Sequence, residues 1–260
     1  MQLGIRTDPN RDPVEEIRWA AAHDFDYVEL TLAAPGAALE TTDWQRVAQA
    51  IRDSGVGIIA YAGPDYVIDN PSPAIRQAAL NELRRCIDAA AIVGAPLLTT
   101  RFLGWPAFLD EAAGYEYYRQ LYEILLAHGQ ERGVAVALEN SPQNEHQLKW
   151  FREIFHRLPE LKLLYNVGNG NVDTRQSMTR SYLFALADRL VQAHVSDNDG
   201  RRPDRLPLGA PATGGLHWQR EFQTLRSFAY DGPITLDIAG DRRWLLGSAE
   251  IVRELWQQAA

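Results

Sequence analysis

The sequence predicts a single closed (β/α)8 TIM barrel over residues 1–260, and three observations predict it. Short β-rich runs alternate with longer helix-period stretches along the whole chain. Eight of each in 260 residues is the arithmetic of that barrel. The first strand runs into RTDPNRDP, and no GxGxxG or P-loop follows any strand, which speaks against an open doubly wound sheet.

The elements follow in order. LGIR from Leu3 precedes the amphipathic PVEEIRWAAAHDF, and YVEL from Tyr27 precedes DWQRVAQAIRDSG. GIIAYA from Gly57 leads to the long PAIRQAALNELRRCIDAAAIVG, and LLTTRF from Leu97 to YEYYRQLYEILLAHGQERG. VAVALE from Val134, LKLLYN from Leu161, LVQAHV from Leu190 and ITLDI from Ile234 are the last four strands. Their helices read HQLKWFREIFHRL, TRSYLFALADR, WQREFQTLRSF and SAEIVRELWQQ. Gly55, Gly94 and Gly133 each come shortly before a strand, where a helix stop wants a left-handed turn. No linker or low-complexity tract divides the chain. The Gly- and Pro-rich stretch from Asp197 to Trp218 reads as a functional or mobile loop.

Composition narrows the function classes. With 26 basic and 34 acidic side chains the net charge is −8, which argues against gripping a nucleic acid backbone. The apolar runs fall short of a membrane span, and MQLGIRTDPN does not read as a signal peptide. Cys86 alone cannot form an internal disulfide, which fits a reducing compartment and a cytoplasmic location. A protein acting on a small molecule, without nucleic acid or membrane partners, is the expectation.

Strand parity places the polar residues. In VAVALE the bulky Val134, Val136 and Leu138 face the helices, so Glu139 faces the axis at the mouth. The same parity sends Asn166, His194 and Asp237 inward, together with Gln192 and Thr235. Arg6 and Glu29 point inward from the first two strands, and Arg101 ends the fourth. Two carboxylates and an imidazole on neighbouring strands suit a divalent metal. Beside a metal-polarised carbonyl, two carboxylates could trade a proton as base and acid, the machinery of a sugar isomerase or epimerase.

The order LEN…LLYNVGN…HVSDN…LPLG…W…ITLDI resembles the xylose isomerase-like TIM-barrel superfamily, which comprises sugar and sugar-phosphate isomerases and epimerases and endonuclease IV. The resemblance covers nearly the whole chain and is strongest from Glu139 to Asp237. It implies metal ligands at Glu139, Asn166, His194 and Asp237, a divalent ion (Mn, Mg, Co or Zn), and a substrate-holding residue at Glu145. Glu139 and Asp237 are the implied catalytic pair. Arg6, Glu29, Arg101, Trp105, Asn169, Asp197 and Arg205 complete the candidate substrate-binding set, with Trp105 either a wall for a sugar ring or a loop-packing residue. Relatives often form homo-oligomers, although nothing in this sequence locates an interface.

Four departures stand out. Asn166 replaces a metal-binding Asp, Asn169 replaces a His, Asp237 is one methylene shorter than the usual Glu, and Arg205 stands where relatives often carry His. Tyr61 and Arg101 lie where endonuclease IV has His residues for extra zinc ions, which disfavours phosphodiester cleavage. Two hypotheses follow: a divalent-metal-dependent sugar or sugar-phosphate isomerase or epimerase, or a non-catalytic or metal-free barrel that binds a sugar or a partner protein. Of the remaining residues, His23, His128, His146 and His156 read as surface residues, His217 as part of a helix entry, and Cys86 as packed.

Overall fold

Eight parallel strands close into a barrel in the order β1 to β8, each followed by a helix, in the computed structural model. It describes residues 1–63, 66–142 and 144–259, with all of their side chains except those of 144 and 145. The strands are β1 (Gln2–Arg6), β2 (Tyr27–Leu32), β3 (Gly57–Ala62), β4 (Leu97–Arg101), β5 (Ala135–Glu139), β6 (Lys162–Asn166), β7 (Leu190–Val195) and β8 (Pro233–Leu236). The helices are α1 (Pro13–Ala21), α2 (Trp44–Ser54), α3 (Pro73–Val93), α4 (Glu111–Arg132), α5 (Asn144–Arg157), α6 (Thr179–Leu186), α7 (Trp218–Ser227) and α8 (Arg242–Gln258). Every expected strand is present. The last one stops at Leu236, so Asp237 lies just beyond it, although its N–H still reaches Val195 O at 3.0 Å.

Helix ends follow local chemistry. Asp12 and Asp43 accept from two first-turn N–H groups each in α1 and α2, as N-caps do. Gly55, Gly94 and Gly133 adopt the left-handed conformation that ends α2, α3 and α4, as their placement before strands predicts.

The chain divides into two compact units. One holds Met1–Arg6, Glu139–Lys149 and Leu163–Ala260; the other holds Thr7–Leu138 and Trp150–Lys162. In the first, Leu163, Val195, Ile234 and Leu236 are buried, and the paired register sets Asn166 beside His194 and His194 beside Thr235. Gly4 also pairs with Thr235, so Arg6 and Asp237, two residues further along each chain, share one face at the next level. In the second, an aromatic cluster joins Phe102, Trp105, Tyr115, Tyr118 and Trp150. Cys86 is fully buried as expected, and burial pushes its thiol up to about 12, leaving it unreactive near neutral pH. His128 is a correction: it is buried, with Nε2 3.0 Å from Asp88 Oδ1, because its face of α4 packs inward. Among the described residues no helix is long and apolar enough to cross a membrane.

Candidate active site

Four side chains meet at the ends of β5 to β8. Glu139, Asn166, His194 and Asp237 are all buried. Asn166 Nδ2 donates to Glu139 Oε1 at 2.8 Å and to Asp237 Oδ2 at 3.3 Å. His194 Nδ1 lies 3.5 Å from that Glu139 oxygen and 3.8 Å from that Asp237 oxygen. Below them, Gln192 Nε2 donates to Thr235 Oγ1 at 2.8 Å.

The orientation of the Asn166 amide is determined by its other end. Asn166 Oδ1 accepts from the backbone N–H of Asn169 at 3.0 Å, and an N–H can only donate. Asn169 is held in turn by its own amide, which donates to Asn140 O at 2.8 Å. The turn needs Gly168 because a Cβ there would lie 2.7 Å from Ser196 O.

Strand parity alone does not single out Asn140. Its side chain accepts from Asn166 N at 2.6 Å and donates to Asn166 O at 3.1 Å, clamping the backbone that carries the central amide. Its position directly after Glu139 in the LEN run was the available signal.

Two guanidiniums converge on one oxygen. Arg6 Nη1 lies 3.1 Å and Arg205 Nη2 2.7 Å from Asp237 Oδ1, and Arg205 Nε donates to Asp237 O at 3.3 Å. Arg205 does this from a left-handed backbone, φ +54°. Burial alone would raise the Asp237 carboxyl, but Arg205 and then Arg6 hold it far below the usual carboxylate range. Burial also opposes ionisation of Glu139, yet the hydrogen bond and charge of His194 hold its carboxyl below the ordinary value.

The remaining candidates have contacts of their own. Asp197 is fully buried and accepts four bonds, from Asn198 N, Leu216 N, Gly209 N and Trp218 Nε1, so it pins the β7–α7 loop. Within the second unit, Glu29 accepts from Thr99 Oγ1 at 3.3 Å, and Arg101 lines a small cavity with Tyr66 and Tyr122. Trp105 packs over Gly114 and against Trp150 at 5.0 Å, a loop-packing role. The side chain of Glu145 lies outside the described residues.

By residue type, Glu139, His194 and Asp237 are candidates for a divalent ion, with ligand atoms within 4.8 Å of one another. The surrounding charge and donors do not fit one. The Asn166 amide nitrogen already bridges the two carboxylates, and two arginines pair with Asp237.

A profile described as xylose isomerase-like TIM barrel matches residues 17–258. The chain belongs to this family. An uncharacterized protein, y4fM, of Sinorhizobium fredii is 27% identical over 176 residues, 64% of this chain and 55% of that relative. The chain thus aligns with about half the length of that relative. A D-tagatose 3-epimerase-like protein superposes with a TM-score of 0.82 at 16% identity, over 100% of this chain and 98% of its own. The D-psicose 3-epimerase of Clostridium cellulolyticum H10, solved with D-tagatose, gives 0.76 at 14% identity, over 100% and 99%. At such identities these likenesses describe the fold.

Proposed function

We propose that this family member is a sugar isomerase or epimerase acting on a small sugar or sugar phosphate by proton transfer at Glu139. The observation that carries the reading is the buried bridge from Glu139 through Asn166 to Asp237, flanked by His194. The fold likeness to proteins named as sugar epimerases supports the substrate class.

In this reading the Glu139 carboxylate removes a proton from the carbon beside the sugar carbonyl. The electron pair moves onto the carbonyl oxygen as an enolate. In isomerisation the neighbouring hydroxyl proton passes to that oxygen and Glu139 returns its proton to the former carbonyl carbon. In epimerisation water protonates the original carbon from the opposite face and Glu139 releases its proton to solvent. Arg205, about one-third exposed, stabilises the enolate oxygen in this reading with a fixed positive charge. Asp237 has one oxygen on two guanidiniums, so it anchors Arg6 and Arg205 rather than carrying the proton. That departs from the exchange between two carboxylates implied by the resemblance. The divalent-metal dependence implied by the same resemblance is not carried over, because the donor arrangement does not fit an ion.

The test is to incubate aldoses, ketoses and their phosphates with the protein in D2O and follow deuterium entry into C–H positions by NMR. Exchange that falls by about 10²–10⁴ in Glu139→Gln is the expected result. Turnover unchanged in that variant would remove Glu139 from the chemistry. Sugars that bind without any exchange would leave a sugar-binding barrel, the reading that the replacements at Asn166, Asn169 and Arg205 favour.

A further inference from the structure

The oxygens a shared ion would need are already taken. Glu139 Oε1 and Asp237 Oδ2 lie 3.5 and 3.8 Å from His194 Nδ1, so they are where one ion would join all three residues. Both accept from Asn166 Nδ2 instead. The amide cannot simply turn over, since its oxygen is held by the Asn169 N–H and its backbone by Asn140. A rotated amide would leave that N–H unpaired.

Charge points the same way. Two carboxylates are met by two guanidiniums, both on Asp237 Oδ1, and by the His194 imidazole, so the cluster has no excess negative charge. A divalent ion would add two positive charges to a buried group with no excess negative charge to meet them, which is costly. Arg205 holds its place from a positive φ that non-glycine residues rarely adopt, and it closes on Asp237 through both Nη2 and Nε.

We infer that this centre is built to work without a divalent metal. The guanidiniums of Arg6 and Arg205 supply the positive charge, and the Asn166 amide supplies the link between Glu139 and Asp237 that an ion would otherwise provide. Guanidinium charge is permanent and is not removed by chelators. The inference takes from the proposed function only the location of the centre. Its test reads metal uptake rather than turnover, so the two can fail separately.

Full-length protein purified without metal-affinity resin, stripped with chelator and then dialysed free of it, is titrated with MnCl2 and ZnCl2 by calorimetry. Glu139→Gln serves as the control for uptake elsewhere. The expected result is no Glu139-dependent uptake and an unfolding midpoint unaffected by chelator. Asn166→Asp restores a charged ligand, and Arg205→His removes a competing cation and adds an imidazole. Both changes together are expected to bind one equivalent at least about tenfold more tightly than wild type. The two single variants, checked by circular dichroism, report the same gain in smaller steps should the double variant not fold. One equivalent bound by wild type at micromolar affinity, and lost in Glu139→Gln, would overturn the inference. So would folded variants that gain no affinity, because Asn166 and Arg205 would then not be what excludes the ion.

Discussion

Asn166 turns its amide nitrogen toward Glu139, at 2.8 Å, and its amide oxygen toward the backbone N–H of Asn169. An aspartate at this position would bring a second acceptor against the Glu139 and Asp237 carboxylates, and only a cation or a proton could reconcile the three. The asparagine brings a donor, and the cluster closes on itself.

Asn140 holds that arrangement from behind. Asn140→Ala would leave the buried N–H and C=O of Asn166 without their side-chain partner. A loss of about 2–4 kcal/mol in urea unfolding is expected. A loss below about 0.5 kcal/mol would mean that other groups replace the clamp.

Acidification acts on Asp237 with a definite sign. Its folded carboxyl lies far below the ordinary aspartate value of 3.8, so the stability it contributes is fully present above that range and is lost as the pH falls through the folded value. Unfolding midpoints of wild type and Asp237→Asn, measured from pH 7 downward, should differ most near neutrality. The gap should narrow once the pH drops toward and below 3.8. A gap constant with pH would remove the two arginine contacts from the stability of the fold.

Asp197 is expected to matter for the loop more than for substrate chemistry. Asp197→Ala strands four donors, three of them backbone N–H groups and one the Trp218 indole. A cost of about 3–5 kcal/mol is expected. Faster hydrogen exchange at Gly209 and Leu216 should accompany it. Retained protection at both amides would mean that the loop is held by other contacts.

Gly168→Ala tests how closely the β6 turn approaches β7. The new methyl group would sit 2.7 Å from Ser196 O and 2.9 Å from Ser196 Oγ, forcing the strand ends apart. Destabilisation of about 1–3 kcal/mol is expected, together with a shifted Asn166 side-chain amide resonance in NMR. An unshifted resonance would mean that the turn moves without disturbing the centre.

The sequence by itself determined the strand and helix alternation, the barrel, and the inward parity of Glu139, Asn166, His194 and Asp237. Each of these follows from local periodicity and from the alternation of side chains along a strand. The tertiary structure alone decided how those groups are paired. Arg6 and Asp237 are 231 residues apart and meet because β1 and β8 lie side by side in register. Asn140 clamps Asn166 across 26 residues, and Asp197 gathers donors up to 21 residues away. Whether Asn166 faces the carboxylates with nitrogen or oxygen depends on which group meets its other end, and that is set by a turn folding back on the strand. Parity along a strand states which side a residue faces, whereas hydrogen-bond direction and charge balance belong to neighbours that only folding brings together.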